Sequence, residues 1–315
     1  MIVRWSLEEL PAVLAEAGIA RPFVIASRRW RALDAPHVAW WDEVPSHRVA
    51  VAAGADGILV MGGGSAIDTA KAASATSGLP LVSVPTTYAG AEWTTSFGVR
   101  SPDRRMQGGG AGAHPAGIVY DVELTLGLPP DVTAGTAMNA LAHTAEALYV
   151  RGRSDEGDAE ALAGAPLIAT ALPRVLADGG DRAARTQLLT GAMHAGHALG
   201  LAGLGLAHAM AQAAGGRYGL PHGAMNALCL PPALAFNREA APDAVERFGE
   251  AIGGDAVERS RSLARLGGFE RLRDFGVPEA DLGELAEAAA SRRGNEVNPK
   301  VATPAEIRAL YESIW

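Results

Sequence analysis

Residues 57–74 read GILVMGGGSAIDTAKAAS, and this pattern of strand, turn and helix organises the first half of the chain. The apolar run at its start is typical of a buried strand, and the residues after the glycines have a helical pattern. Glycines let a backbone approach an anion closely, and the first N–H groups of a helix favour negative charge. A tight turn without a ligand would need the same glycines. The pattern predicts a phosphate-binding turn, with a purely structural turn as the alternative, at Gly62, Gly63, Gly64 and Ser65.

Strand and helix patterns alternate on both sides of this turn. Helices are predicted at residues 7–17 and 46–55, buried strands at 22–27 and 79–84, and a weaker strand at 38–44. Strands that are apolar throughout and alternate with helices indicate a parallel sheet covered on both faces. A glycine-rich segment, residues 103–117, is expected to be a loop. The first 130 residues are therefore predicted to form an α/β domain.

Polar side chains near the glycine-rich turn are further candidates for ligand binding. Asp68 and Lys71 lie on the helix that follows it, and Lys71 is expected at the edge of the core or at the surface. Thr86 and Thr87 follow the next strand, at the edge where a doubly wound sheet binds its ligands. Hydroxyls that cap a loop would explain the two threonines equally well.

Composition and charge exclude several classes of protein. The chain has 315 residues, 48% of them hydrophobic and 20% charged, which is typical of a globular protein of two domains. A net charge of −8 argues against binding to nucleic acid or to an anionic membrane. The single cysteine, Cys229, lies in an apolar run and excludes an internal disulfide, as in a reducing compartment. No signal-peptide pattern is present, and the sequence predicts a soluble cytoplasmic protein without nucleic-acid or membrane partners.

Beyond residue 130 the periodicity is helical throughout. Helices are predicted at residues 136–150, 159–176, 182–212, 223–236, 242–253, 256–266, 268–275, 279–291 and 304–314. The chain is therefore expected to divide near residue 130 into an α/β domain and an all-helical domain.

Residues 203–226, GLGLAHAMAQAAGGRYGLPHGAMN, carry two histidines and a glutamine in an otherwise apolar setting. Positions four apart share a helix face, so His208 and Gln212 are expected to point the same way. A break at Gly215-Gly216 would let the chain fold back. His222, at the head of the next helical run, could then approach His208.

An earlier helix repeats this spacing, because Asn139 and His143 also lie four apart, with Glu146 on a neighbouring face. A single histidine is more often a satisfied core or surface residue than a ligand. Three histidines and an amide on apolar helices favour a shared polar cavity, since buried imidazoles need partners.

Five motifs occur in one register along the chain. They are VMGGGSAIDTAKAAS (60–74), VPTTYAGAEWTTSFGV (84–99), IVYDVELTLGLPP (118–130), AMNALAHTAEALY (137–149) and the stretch 203–226. In this order they resemble the iron-containing alcohol dehydrogenase family, and the maleylacetate reductase branch most closely. The resemblance runs from about Leu7 to the end of the sequence.

The resemblance implies an N-terminal dinucleotide-binding α/β domain, residues 1–130, and an all-helical catalytic and metal-site domain, residues 131–315, in the dehydroquinate synthase-like fold. It places the active site between them. NAD or NADP would bind with its pyrophosphate on the turn at residues 62–65, with Asp68 nearby. Thr86, Thr87 and Tyr88 would line the nucleotide. The implied reaction moves a hydride between the nicotinamide and a carbonyl or secondary alcohol, in an enzyme that is expected to be a homodimer.

The resemblance also implies a site for a divalent metal. Metal-dependent members bind iron or zinc through an Asp and three His, and the corresponding residues are Asn139, His143, His208 and His222. The amide at Asn139 removes an anionic ligand and should weaken such a site. Maleylacetate reductases carry Asn at that position. The three histidines are expected to polarise the substrate oxygen, directly or through a metal.

Gln212 departs from the family, which usually has another active-site histidine there. Glutamine can orient a substrate but does not transfer protons near neutral pH. Three functions stay open. The first is an NAD(P)H-dependent reductase of a small oxo-acid such as maleylacetate, and the second is a dehydrogenase that oxidises a hydroxyl on a modified peptide or specialised metabolite. The third is a homologue that binds the cofactor without this chemistry or reuses the site as a lyase. The altered segment after Met106 would suit the second.

Overall fold

A computed structural model describes residues 1–32, 35–103 and 105–315. The chain forms two compact units, one of Met1–Thr87 and Ala91–Thr125 and the other of Tyr88–Gly90 and Leu126–Trp315. Each unit has its own secondary structure and core.

The first unit is built on a six-stranded sheet in which all neighbouring strands are parallel. Its strand order is β1-β8-β5-β4-β2-β3. The strands and helices of the unit are β1 Ile2–Arg4, α1 Leu10–Glu16, β2 Pro22–Ala26, β3 Ala39–Trp41, β4 Gly57–Gly62, α2 Gly64–Ser77, β5 Leu81–Pro85, β6 Phe97–Arg100, β7 Met106–Gly110 and β8 Pro115–Val119.

The sheet is covered on both faces, as the continuous apolar runs predicted. Every residue of β2, β4 and β5 is buried. On β4, Leu59 and Met61 pack into a cluster with α1, while Ile58 and Val60 pack into a second cluster with α2. The parallel α/β architecture predicted from the sequence is confirmed.

The second unit is helical. Its helices are α3 Pro130–Ala147, α4 Asp155–Ala177, α5 Arg182–Ala202, α6 Leu206–Tyr218, α7 His222–Asn237, α8 Pro242–Ile252, α9 Ala256–Leu266, α10 Leu282–Ala290, α11 Arg293–Glu296 and α12 Pro304–Glu312. The helix α3 lies at the centre, where it packs against α4, α5 and α7. It is buried over nearly its whole circumference because its small side chains let neighbouring helices approach.

Among the described helices, α4 is the one whose length and hydropathy would allow it to cross a membrane. It packs along α5 and α3 within the helical unit. Ile168 and Leu172 on its inner face are buried, and its first turn carries Asp155, Glu156 and Asp158. In this structure α4 is a core helix of the second unit.

Residues 46–55 form no helix, so that prediction is wrong. Val49, Val51 and Ala52 pack against the α2 side of the sheet from an irregular segment. A ten-residue helix with two β-branched residues and Gly54 has little intrinsic stability, and the apolar side chains are buried equally well without it.

Two boundaries in residues 182–226 also differ from the prediction. The predicted single helix over 182–212 is divided at Gly203, where the backbone has φ 89°, into α5 and α6. The expected break at Gly215-Gly216 does not occur, because α6 continues to Tyr218 and ends at Gly219 with φ 69°. Gly215 is buried next to Met225 of α7, where an added Cβ would make ordinary van der Waals contact at 3.7 Å.

The segment 103–117 is not a loop throughout. Met106–Gly110 forms β7, which pairs antiparallel with β6 in a separate two-stranded ribbon. Glycine-rich sequences have low strand propensity, so the pairing depends on main-chain hydrogen bonds to Phe97–Arg100. Arg104, inside the predicted loop, lies outside the described residues. The helix predicted at residues 268–275 is shorter in the structure, where only Leu272–Phe275 is helical, as a 3-10 turn.

Candidate active site

Three helices of the second unit carry the predicted polar residues. Asn139 and His143 lie on α3, His208 lies in the first turn of α6, and His222 is the first residue of α7. The short turn of residues 219–221 between α6 and α7 reverses the chain and makes this approach possible. His143 and His208 are 3% and 1% exposed, and His222 is partly exposed.

The three imidazoles lie together. The ring centroids of His143 and His208 are 4.8 Å apart with the planes tilted by 15°, and those of His208 and His222 are 5.7 Å apart with the planes tilted by 50°. We call His143, His208 and His222 the imidazole cluster. The convergence predicted for these three residues is thus present in the helical unit.

Two amides connect the cluster. Asn139 Oδ1 accepts a hydrogen bond from Asn226 Nδ2 at 2.7 Å and lies 3.3 Å from His208 Nε2. Asn139 Nδ2 donates to the carbonyl of Ala89 at 3.1 Å. Asn226 Nδ2 also lies 3.0 Å from His222 Nε2. Sequence reasoning missed Asn226, although it follows His222 by four residues, as His143 follows Asn139.

Glu146 fixes His208 from the side opposite Asn139. His208 Nδ1 lies 2.6 Å from Glu146 Oε2, and the Glu146 carboxylate also accepts the backbone N–H groups of Gly205 at 2.8 Å and His208 at 3.1 Å. Gly205, the N-cap of α6, has no side chain, so Glu146 of α3 satisfies N–H groups that a capping residue would otherwise bind. The carboxylate therefore sets both the helix start and the ring orientation of His208.

His143 is the most enclosed imidazole of the cluster. Burial, followed by the nearby charges of His208 and His222, lowers its pKa well below the ordinary value, so this ring is neutral near pH 7. Its Nδ1 has no hydrogen-bond partner within the described part of the chain. A Cβ added at Gly90, which has φ 73°, would lie 3.0 Å from the Gly196 Cα atom and 3.5 Å from His143 Nδ1. Only a glycine at position 90 lets residues 88–90 lie this close to Gly196 of α5 and to His143.

The four predicted metal ligands lie together, but their donor set does not fit a divalent ion. Asn139 supplies a neutral amide whose oxygen accepts from Asn226 and whose nitrogen donates to Ala89. Among the described residues no group of three or more His, Cys, Asp and Glu is arranged to hold a metal.

The glycine-rich turn of the first unit has the geometry of an anion site. Gly63 is the N-cap of α2, so the first N–H groups of that helix are not covered by a capping side chain. A Cβ at Gly62 would lie 2.6 Å from Ala66 Cβ, and one at Gly63 would lie 2.8 Å from Thr87 Cγ2. These distances leave little room for larger side chains, and a phosphate-binding turn needs such a glycine-rich backbone at a helix start.

Thr86, Thr87 and Tyr88 differ in their surroundings. The N–H of Thr86 donates to the Gly62 carbonyl at 3.0 Å, and its buried Oγ1 has no partner among residues that the structure describes. Tyr88 is fully buried in the second unit, where its hydroxyl accepts from Arg185 Nη1 at 3.1 Å. The side chain of Tyr88 therefore has a structural role, and its predicted contact with a nucleotide stays a prediction.

Asp68 and Lys71 form an ion pair in the first unit, in which Lys71 is buried and Asp68 is partly exposed. Lys71 is 1% exposed, and its Nζ lies 3.3 Å from Asp68 Oδ1. It also donates to the Ala91 carbonyl at 2.7 Å and to Thr94 Oγ1 at 2.8 Å. Burial lowers the pKa of Lys71 and raises that of Asp68. Lys71 is thus in the core, not at the surface.

Gln212 lies about one turn after His208 on α6, and it hydrogen-bonds with Arg292. Its Oε1 accepts from Arg292 Nη1 at 3.3 Å, and its carbonyl accepts from Arg292 Nη2 at 3.4 Å. The predicted catalytic role of Gln212 stays a prediction. Arg292 was not singled out by the sequence, because nothing in the pattern around it distinguishes it from a surface arginine.

Comparison with known proteins gives one consistent result. The family model described as Fe-containing alcohol dehydrogenase family, C-terminal, matches residues 133–315, and the model described as Iron-containing alcohol dehydrogenase matches residues 46–121. Maleylacetate reductase from Burkholderia cepacia is 36% identical over 264 residues, which covers 83% of this chain and 74% of that protein. Maleylacetate reductase 1 from Rhodococcus opacus is 34% identical over 263 residues, with coverages of 83% and 73%.

Solved structures agree with these relatives. The iron-containing alcohol dehydrogenase from Corynebacterium glutamicum superposes with a TM-score of 0.89 at 29% identity, covering 100% of this chain and 94% of that one. Maleylacetate reductase from Agrobacterium tumefaciens superposes with a TM-score of 0.88 at 28% identity, covering 100% and 95%.

Proposed function

The chain belongs to the iron-containing alcohol dehydrogenase family and is an NAD(P)-dependent oxidoreductase similar to maleylacetate reductases, and we propose that it reduces the carbonyl group of a small oxo-acid such as maleylacetate. The observation that carries this proposal is the imidazole cluster held by Asn139, where metal-dependent relatives have a carboxylate. An amide at this position is what the resemblance to the maleylacetate reductase branch implies.

The turn at residues 62–65 would hold the pyrophosphate of NADH or NADPH through the N–H groups at the start of α2. The unpartnered hydroxyl of Thr86 would supply a further hydrogen bond to the nucleotide. When bound, the nicotinamide supplies the hydride. The protein would supply positioning, electrostatic stabilisation and the proton.

The imidazole cluster would bind the carbonyl oxygen and stabilise the negative charge that develops on it. Such hydrogen-bond donors act best when they are fixed in advance and shielded from water. His208 meets both conditions, since Glu146 holds its Nδ1 and the ring is buried, and its Nε2 would exchange Asn139 Oδ1 for the substrate oxygen. His208 or His222 would then give the product oxygen its proton, as a general acid.

The same proposal needs no metal ligand at Asn139. The amide oxygen is engaged by Asn226, and the amide nitrogen by the carbonyl of Ala89. These bonds orient Asn139 and so fix the acceptor that faces His208 Nε2. Asn139 would thus order the cluster through hydrogen bonds where relatives use an ion.

We also propose that the protein acts in the cytoplasm as a homodimer on a small-molecule substrate, without nucleic-acid or membrane partners. The net charge of −8 supports the absence of nucleic-acid and membrane partners, and the buried free thiol of Cys229 supports a cytoplasmic location. Burial raises the pKa of that thiol, which makes it unreactive.

The experiment that tests the proposal measures oxidation of NADH and NADPH by the purified protein with maleylacetate, and with uncharged ketones for comparison. Turnover with maleylacetate that exceeds turnover with the ketones is the expected result. A protein that binds the reduced cofactor, as tryptophan quenching would report, but reduces no carbonyl compound would instead be a cofactor-binding homologue. That outcome would reject the proposed function.

A further inference from the structure

A cavity of about 370 Å³ lies beside α6, the helix that carries His208. Its lining residues are Leu204, Ala209, Gln212, Arg292, Arg293 and Gly294. This volume is sufficient for a small ligand. Of the lining residues, the two charged ones are both arginines, so the cavity favours an anion.

Arg292 has hydrogen-bonding capacity that the protein does not use. Its two bonds to Gln212, at 3.3 and 3.4 Å, are at the long end of the range for N–H donors. Its Nε is shielded from solvent and has no partner among the described residues. A guanidinium carries five N–H donors, so several can bind a ligand.

The charge of Arg292 also lacks a counter-ion in the described part of the chain. Within residues 1–32, 35–103 and 105–315 no carboxylate forms an ion pair with it, whereas its neighbour Arg293 pairs with Glu296 at 3.2 Å in solvent. Partial burial lowers the pKa of Arg292, yet an arginine stays charged near neutral pH. A partly desolvated cation without a partner is unfavourable, and a carboxylate bound in the bidentate mode would relieve it.

Close packing fixes Arg292 relative to α6. A Cβ at Gly294 would lie 2.3 Å from the Gly205 carbonyl oxygen and 3.4 Å from Ala209 Cβ, so only glycine lets α11 approach the start of α6. The guanidinium then reaches Gln212, which follows His208 by four residues, or about 6 Å along the helix.

We propose that Arg292, aided by Gln212, binds a carboxylate group of the substrate while the imidazole cluster binds its carbonyl group. The identification of the ligand as a substrate rests on the proposed reductase function. A dicarboxylic oxo-acid has a carboxylate only a few bonds from its carbonyl, which agrees with a separation of about one helical turn. Arg292 would then set the preference for acids over uncharged ketones.

Binding can be tested without catalysis, by calorimetric titration of the full-length protein with succinate and with its uncharged dimethyl ester. We expect succinate to bind the wild type and the ester not to bind. Arg292→Gln should weaken succinate binding by about 10- to 100-fold, because it removes charge-assisted hydrogen bonds. Arg308→Gln, which removes an exposed arginine on α12 that pairs with Glu312 at 2.9 Å, is the matched control and should bind as the wild type does. Equal succinate affinity in wild type and Arg292→Gln, or none in the wild type, would overturn the inference.

Kinetics then separate this inference from the proposed function. Arg292→Gln should raise KM for maleylacetate with a much smaller change in kcat, and Arg292→Lys should recover part of the loss. A wild type that reduces no oxo-acid but binds succinate through Arg292 would reject the reductase and leave an anion site. A wild-type reductase whose KM does not depend on Arg292 would reject the carboxylate site and leave the proposed function intact.

Discussion

Glu146 Oε2 lies 2.6 Å from His208 Nδ1, and neither side chain is accessible to solvent beyond 1% of its surface. The same carboxylate binds the first N–H groups of α6. The orientation of the imidazole and the position of its helix thus depend on one acidic residue from α3.

Glu146→Gln should therefore lower kcat by about 10- to 100-fold, because the amide cannot accept all three N–H groups and leaves at least one buried donor unpaired. Steady-state NADH oxidation with maleylacetate, together with thermal unfolding, measures the effect. The control is Glu160→Gln, since Glu160 Oε2 also contacts an imidazole, His194 Nδ1, at 2.6 Å but in a partly exposed position on α4 and α5. Similar losses in both variants would show that the Glu146 contact has no special role.

Asn139→Asp should create affinity for a divalent metal. The new carboxylate would supply the missing anionic ligand. One of its oxygens would also face the Ala89 carbonyl, to which the Asn139 amide now donates, and the two oxygens would repel each other. By equilibrium dialysis, we expect the variant to bind zinc at least about tenfold more tightly than the wild type does. EDTA should lower the Tm of the zinc-bound variant by a few degrees, since each kcal/mol of lost stability lowers Tm by about 2–4 °C. Asn237→Asp alters another fully buried asparagine, paired with Asn298 at 3.0 Å, and should show no dependence on metal. Equal zinc binding by wild type and Asn139→Asp would contradict this account of the amide.

Lys71→Met should destabilise the protein by about 3–5 kcal/mol, because it leaves Asp68 and nearby buried acceptors without their cation. Glu92 is buried and Asp68 partly exposed, and desolvation raises the pKa of both carboxyl groups. Urea unfolding provides the measurement. Lys300→Met removes the same charge from an exposed pair with Glu306 at 2.8 Å and should cost about 1 kcal/mol or less. Equal costs in the two variants would argue against a structural role for the pair of Asp68 and Lys71.

Gly63→Ala should weaken binding of NADH and NADPH, because the added methyl group would lie 2.8 Å from Thr87 Cγ2 and distort the turn at the start of α2. Quenching of tryptophan fluorescence by the reduced cofactor measures the dissociation constant. Gly108→Ala is a suitable control, since a Cβ at that position meets no atom of the described structure within 4 Å. Unchanged cofactor affinity in Gly63→Ala would remove the main support for the phosphate-binding turn.

The sequence predicted the elements that are defined by strong local patterns. The buried strands β2, β4 and β5 are continuous apolar runs, and Asn139 and His143 share a helix face because their spacing of four residues matches the helical period. The approach of His208 and His222 was predicted from a break at Gly215-Gly216, but it occurs through the turn at residues 219–221, after α6 has continued to Tyr218. These inferences need only chain periodicity and connectivity.

The errors arose where tertiary contacts outweigh local preference. Gly215 interrupts a helical pattern in sequence, yet α6 continues through it, with Gly215 buried beside Met225 of α7. The strand β7 is glycine-rich and exists through its ladder with β6. Asn226 and Arg292 acquire their surroundings from residues far along the chain, and no local pattern records such contacts.

The most direct test of the central claim, that the imidazole cluster is the catalytic site, is the rate of NADH oxidation by His208→Asn with maleylacetate. The account predicts a loss in kcat of about 100-fold or more, with cofactor binding retained, because a fixed acid typically contributes about 10²- to 10⁴-fold. His194→Asn, which alters an imidazole paired with Glu160 outside the cluster, should remain active. Wild-type kcat in His208→Asn would contradict the account.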